Sequence, residues 1–242
     1  MKDNFSSESD KYARYRPQYP LKLISYITNM VSEKEKAWDC ATGNGQLATK
    51  LSKHFTTVEA TDISKEQIKH AHPGNNINYS IQAAEETSFP NEFFDLITVG
   101  QAVHWFNFEK FYAEVNRVLK SQGILALIGY GLVRSNKETN KVIDHFYKEI
   151  IGPYWDWERK YLDEKYETIP FPFEEIIVPD FEIKLHWTYE HLVGYLRTWS
   201  AVKHFQEKNG KDPVELITKK LKNSYGEGGE VVFPLLVRVG RK

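Results

Sequence analysis

Between Ala37 and Ile128, short apolar runs alternate with segments whose apolar residues recur at helical spacing, and no other feature constrains the fold as much. Strands joined by helix-length connections run parallel, and a parallel sheet is covered by helices on both faces. The runs predict strands at Ala37–Ala41, Thr57–Thr61, Ile77–Ile81, Phe94–Val99 and Gly123–Ile128. Helices fit at Gln46–His54, Lys65–Ala71 and Phe108–Leu119. The last of these carries Phe111, Val115, Val118 and Leu119 on one face and ends at Ser121–Gly123. Leu21–Met30 has the spacing of an amphipathic helix that opens the domain. A strand at Phe181–His186, helices at Tyr189–Phe205 and Pro213–Tyr225, and a terminal strand at Val231–Val239 complete the pattern.

These elements make residues 1–242 one α/β domain with a seven-stranded sheet. Residues 1–20 form an N-terminal arm or lid, and 131–180 an insertion after the fifth strand. Long connections of this kind are often functional. This one holds Tyr147, Tyr154, Trp155, Trp157, Tyr161, Phe171 and Phe173. That aromatic density either lines an apolar pocket or packs as a helical layer on the sheet, and the residues alone leave both readings open.

Composition narrows the partners. Thirty-two basic residues against 33 acidic ones give a net charge of −1, without the basic excess that a polyanion such as DNA or RNA attracts. A small-molecule substrate is expected, with no nucleic acid and no membrane. The lone Cys40 permits no intrachain disulfide, Met1–Asp10 is polar, and no apolar stretch approaches the roughly 18 residues of a membrane span. The chain reads as cytoplasmic and as a monomer or homodimer.

The most informative residues are Trp38–Gln46, where an apolar strand ends in Asp39, turns through Ala41-Thr42-Gly43-Asn44-Gly45 and opens a helix. Small residues in such a turn let a ligand lie against the backbone. The spacing differs from the G-x-G-x-x-G of enzymes that bind a dinucleotide pyrophosphate. Alone the turn is a weak signal, but the next strand ends at Asp62, whose carboxylate can accept hydrogen bonds from both hydroxyls of a ribose. Asp62 also has a plainer reading as a helix N-cap, a role that Ser64 fills as well or better.

With these segments in view the chain resembles the class I S-adenosylmethionine-dependent methyltransferases, in particular the branch of trans-aconitate methyltransferases and the type 11 methyltransferases. The resemblance rests on Asp39-x-Ala-x-Gly-x-Gly45, Asp62, Ala83-Ala84-Glu85, Phe94-Asp95-Leu96, Gln101–Phe106 and Glu114–Gly123, and extends to Leu192–Ser200 and Phe233–Gly240. It implies a Rossmann-like, mostly parallel sheet whose last strand is antiparallel, with S-adenosylmethionine as cofactor and no metal. Carried over position by position, Asp39, Ala41 and Gly43 would border the methionine half of the cofactor, with Gly45 also cofactor-binding. Asp62 would hold the ribose, Ile63, Ala84 and Glu85 would edge the adenine, and Gln101 would face the cofactor. Two positions depart from the family pattern: Ala41 stands in place of the first glycine, and Ala83 in place of an acid that many relatives direct at the adenine amino group.

A methyl sulfonium is already activated, so alignment and exclusion of water do most of the work. A carboxylate acceptor needs no general base, whereas a phenol, alcohol or amine could give its proton to a nearby histidine. His104 is placed for that, or equally to orient its own loop; Trp105 is either a packing residue or a wall of the transfer pocket. Tyr12 and Arg16 form part of a lid over the cofactor or belong to a surface arm. Arg197 and Arg134 are either cations for a carboxylate substrate or solvated surface residues. Two other classes share parts of the pattern: a nicotinamide dehydrogenase, and a regulator that binds the cofactor without turnover.

Overall fold

The computed structural model describes residues 14–242, and Tyr12 lies outside them. Helix α1 (Leu21–Asn29) leads into β1 (Lys36–Cys40), α2 (Ala48–Leu51), β2 (Thr57–Asp62), α3 (Lys65–Lys69), β3 (Ile77–Ile81), β4 (Phe94–Gly100), α4 (Phe108–Val118) and β5 (Leu119–Tyr130). The five strands pair in the order β3-β2-β1-β4-β5, all parallel.

Side-chain alternation explains why these strands read as nearly continuous apolar runs. In β5, Ile124, Ala126, Ile128 and Tyr130 join the core shared with Leu23, Ile24 and Ile27 of α1. Leu125 and Leu127 face the opposite layer, with Phe111, Val115 and Val118 of α4. In β1, Trp38 is fully buried in that second layer, stacked on Phe94 at 5.7 Å between ring centroids.

Helix α4 ends at Val118, before the expected Ser121–Gly123, because Leu119 is already extended and pairs with Phe94. Arg117, in its last turn, bonds Glu114, the carbonyls of Thr87 and Phe89, and Asn91 Oδ1. The arginine of that helix thus fastens the β3–β4 connection.

The sheet has eight strands where the sequence pattern predicted seven. Past β5 come α5 (Lys137–His145), a π-helical turn (Phe146–Ile150), short 3-10 turns, α6 (Lys160–Asp163), β6 (Glu174–Ile176), β7 (Glu182–Thr188), α7 (Tyr189–Arg197), α8 (Ser200–Asn209), α9 (Thr218–Tyr225) and β8 (Gly228–Arg241). The extra strand follows from the length of β8. Its second half lies antiparallel to β5 through residues 235–241, its first half pairs with β7 through residues 228–234, and the free edge of its end takes β6. Three-residue β6 is too short and too acidic to show as an apolar run. The single helix predicted over Tyr189–Phe205 is two, because Trp199 is extended between α7 and α8.

Among the described residues no helix is long and apolar enough to cross a membrane. Strand β1 has β2 on one side and β4 on the other, so the chain leaves β1 and β4 toward opposite halves of the sheet. A crevice opens at their carboxyl ends, the place where open α/β sheets bind ligands.

Candidate cofactor and acceptor site

Both strands end in strained backbone. Ala41, first past β1, has φ +54°, and Gln101, first past β4, has φ +55°. An L-residue in this region is disfavoured by roughly 1–2 kcal/mol, and such strain collects at ligand sites. The turn continues through Gly43 (φ +58°) and Gly45 (φ +83°). A Cβ added at Gly43 would meet only Gln67 Oε1, at 3.8 Å, whereas one at Gly45 would fall 2.1 Å from Tyr79 Oη. Backbone is therefore left bare toward the crevice at Gly43, and toward the Tyr79 ring at Gly45.

Asp39 holds the turn from inside. Its Oδ2 accepts from Thr42 Oγ1 at 2.5 Å and from the Ala48 N–H at 2.9 Å, and its Oδ1 accepts from Thr98 Oγ1 at 3.1 Å. Burial raises its pKa to about 7 even though all three bonds pull the other way. Asp62, at the end of β2, accepts the Gly43 N–H on Oδ2 and the Ser64 N–H on Oδ1, both at 2.9 Å. The cap of α3 is Ser64, whose Oγ accepts the Gln67 N–H at 3.2 Å. A carboxylate oxygen has more than one lone pair, so accepting one N–H group does not fill it.

These elements enclose a cleft of about 910 Å³, mouth included, within the size range of small-molecule sites. Of the residues singled out from sequence, Arg16, Asp39, Ala41, Gly43, Asp62, Ile63, Gln101 and Trp105 line it. So do Thr42 and Asn44 of the same turn, and Tyr19, Leu47, Gln67 and Tyr130, which sequence reasoning passed over. Tyr130 lies far along the chain from the turn whose cleft it shares, which hides it, although it ends β5 and the ends of inner strands are a readable signal.

The other expected residues stand outside this cleft. Gly45 makes room for Tyr79. Ala84 packs in the core on the α4 side, and Glu85 Oε1 accepts the Asn107 N–H at 3.1 Å. Gln101, which does line the cleft, spends its amide on β5: Oε1 accepts the Tyr130 N–H at 2.7 Å.

A second cleft adjoins the first, and Arg16, Gln101 and Trp105 line both. Its remaining wall is His104, Trp155, Asp156, Arg159, Leu162, Trp199 and Ser200. The insertion thus does both things its aromatics suggested. Tyr147 packs in the core, whereas Trp155 faces the cleft. Arg16 bridges the two clefts, donating to Tyr130 Oη and to the Thr198 carbonyl, each at 3.0 Å, with its guanidinium 5.3 Å from the Tyr195 ring centroid. His104 is buried beside Trp105, with Nδ1 3.4 Å from Tyr166 Oη. Burial, reinforced by the positive charge of Arg159, lowers its pKa to about 3.

The two arginines considered for a carboxylate are engaged elsewhere. Arg197 pairs with Asp212 at 2.7 Å and Glu215 at 2.5 Å, and Arg134 with Asp144 at 2.6 Å. The cation that does line the second cleft from the insertion, Arg159, carried no sequence motif.

Comparison with known proteins decides the family. A family model described as a methyltransferase domain matches residues 38–127, the span from β1 to β5. A Dictyostelium discoideum protein named as a methyltransferase is 34% identical over 99% of this chain and 95% of its own length. The chain belongs to the class I S-adenosylmethionine-dependent methyltransferases. A solved structure from Anaeromyxobacter dehalogenans, titled as a type II methyltransferase, is 33% identical and covers 94% of this chain and 98% of its own, with a TM-score of 0.87. A Bacillus halodurans structure titled as a methyltransferase shares the fold at 20% identity, covering 92% of this chain and 98% of its own with a TM-score of 0.55. These names distinguish no branch within the family, trans-aconitate methyltransferases included.

Proposed function

We propose that this methyltransferase methylates a carboxylate oxygen of a small-molecule acceptor, using S-adenosylmethionine bound in the first cleft, between the ends of β1 and β4. The residues fit that cofactor: bare backbone at Gly43, a carboxylate able to accept from ribose hydroxyls at Asp62 in the cleft wall, and the apolar side chain of Ile63 beside it. Ala41, Gln101 and the Arg16 strap would border its methionine half. When bound, S-adenosylmethionine supplies a methyl group on a sulfonium; the acceptor oxygen takes that methyl, the S–C electron pair stays on sulfur, and a carboxylate has no proton to lose.

The observation that carries the choice of acceptor is the state of His104. It lines the cleft where an acceptor would meet the methyl group, yet with a pKa of about 3 it is a weak base at neutral pH. A phenol or an amine would call for a better base, whereas a carboxylate already ionised calls for none. His104 then orients its loop through Tyr166, and Trp105 forms the wall shared by the two clefts. The test is incubation with S-adenosylmethionine and a panel of small carboxylic acids, phenols and amines, read by mass spectrometry. A methyl ester is expected; an aryl ether or N-methyl product alone overturns the carboxylate assignment. Cofactor uptake with no transfer to any of the panel favours a regulator without turnover.

A further inference from the structure

Arg159 is held in a way that a surface arginine is not. Its guanidinium carbon lies 4.7 Å from the centroid of Trp155 and 5.2 Å from that of Tyr147. Nε donates to Tyr147 Oη at 2.7 Å, and that hydroxyl in turn donates to Asp163 Oδ1 at 2.6 Å. Nε also lies 3.7 Å from Asp163 Oδ1, and the side chain is only 17% exposed. Trp155 is fixed as well, since its indole N–H donates to the Tyr147 carbonyl at 3.2 Å and its ring leans on Trp199 at 5.7 Å.

The terminal nitrogens of Arg159 are spared by this arrangement. Among the described residues no acceptor takes a hydrogen bond from Nη1 or Nη2, although the residue lines a cleft beside the cofactor site. The one carboxylate in that wall, Asp156, has Oδ2 3.9 Å from His204 Nδ1. A guanidinium whose Nε is anchored and whose terminal edge is left to a cleft is preorganised for a planar oxyanion, because the two N–H groups match the two oxygens of a carboxylate. Around it, Trp105, Trp155 and Trp199 offer flat apolar surface.

We infer that Arg159 is the specificity-determining residue of the acceptor site, and that it selects flat apolar acids, aromatic carboxylates above all, by receiving their carboxylate between tryptophan walls. This rests on the reading of the second cleft as the acceptor site. Selection here is a matter of binding: the apolar body packs on indole rings, the charge is met by a guanidinium already stripped of much of its water, and an uncharged analogue of the same shape loses the second contribution.

The experiment uses the full chain saturated with S-adenosylhomocysteine, with benzoate and its near-isostere benzamide as probes, followed by tryptophan fluorescence and calorimetry. Wild type should bind benzoate about 10- to 100-fold more tightly than benzamide. Arg159→Gln should abolish that preference by weakening benzoate alone, and Arg159→Lys should restore part of it. Affinity for S-adenosylhomocysteine should stay within twofold in both variants, which shows that the site is still folded. Should Arg159→Gln fail to fold, Arg159→Lys and the wild-type comparison carry the test. Equal binding of the two probes by wild type, binding of neither, or a preference that survives Arg159→Gln overturns the assignment. No uptake of S-adenosylhomocysteine would overturn the proposed function instead, so the two failures are told apart in one titration series.

Discussion

Replacing Asp62 by alanine separates its structural bonds from its proposed hold on ribose. Its oxygens accept the Gly43 and Ser64 N–H groups, and Ser64 is 4% exposed, so water replaces the lost partner poorly there. One unsatisfied buried N–H is destabilising by about 1–3 kcal/mol. For a chain of 242 residues, at roughly 2–4 °C per kcal/mol, the melting temperature should fall by about 2–12 °C. Ligand binding should suffer more. Hydrogen bonds from two hydroxyls to a carboxylate contribute roughly 1.5–3 kcal/mol each, which together amount to about 10²- to 10⁴-fold in affinity. Calorimetry with adenosine and 2′,3′-dideoxyadenosine isolates that contribution, because the two differ only in the hydroxyls Asp62 is said to grip. Wild type should prefer adenosine strongly, and Asp62→Ala should bind the two alike. A variant that melts early yet keeps the full preference would reduce Asp62 to a turn residue and refute the reasoning.

Gly45→Ala adds a Cβ 2.1 Å from Tyr79 Oη at φ +83°; backbone strain and displacement of the ring should lower stability by about 1–3 kcal/mol in denaturant unfolding, and adding Tyr79→Ala should recover the ring's share but not the strain. Ala41→Gly relieves φ +54° and should raise stability by about 0.5–1 kcal/mol, the strain removed outweighing the extra freedom of the unfolded chain; a loss would show that the strain there is not real. The folded pKa of His104, about 3, lies below its ordinary 6.5. Its neutral form therefore stabilises the fold fully above pH 6.5, and that contribution drains away as pH falls from 6.5 toward 3. His104→Gln should flatten the acid limb of stability against pH by an amount on the order of a few kcal/mol, and a limb of unchanged slope would deny His104 that role. For the same reason the methylation rate with wild type should show no step near pH 6.5.

The parallel half of the sheet was legible because its signals are local and doubled. A strand buried on both faces writes an apolar run, and the crevice beyond it writes small residues and an acid in Ala41–Gly45 and Asp62. What the sequence hid depends on contacts between distant segments. Strand β6, Glu174–Ile176, is made by pairing with the end of β8 rather than by any apolar pattern of its own. Gly45 reads like Gly43 in the turn, and only the fold shows Tyr79 lying against one and open cleft beside the other. Arg134, Arg197 and Arg159 are indistinguishable as letters. Their difference lies in neighbours: close carboxylate pairs for the first two, and for the third an aromatic cage, with Asp163 3.7 Å from Nε and, among the described residues, no hydrogen bond on the terminal nitrogens. His104 reads as a base from its place after β4, but the burial that takes away its basicity comes with the packed insertion, Tyr166 and Arg159 included.

Isothermal titration of the purified full chain with S-adenosylhomocysteine, run beside NAD, tests the central claim most directly. Uptake of one equivalent of S-adenosylhomocysteine with no heat from NAD is the predicted result. Uptake of NAD, or of neither, would contradict the cradle at Ala41–Gly43 and Asp62 together with every role assigned from it.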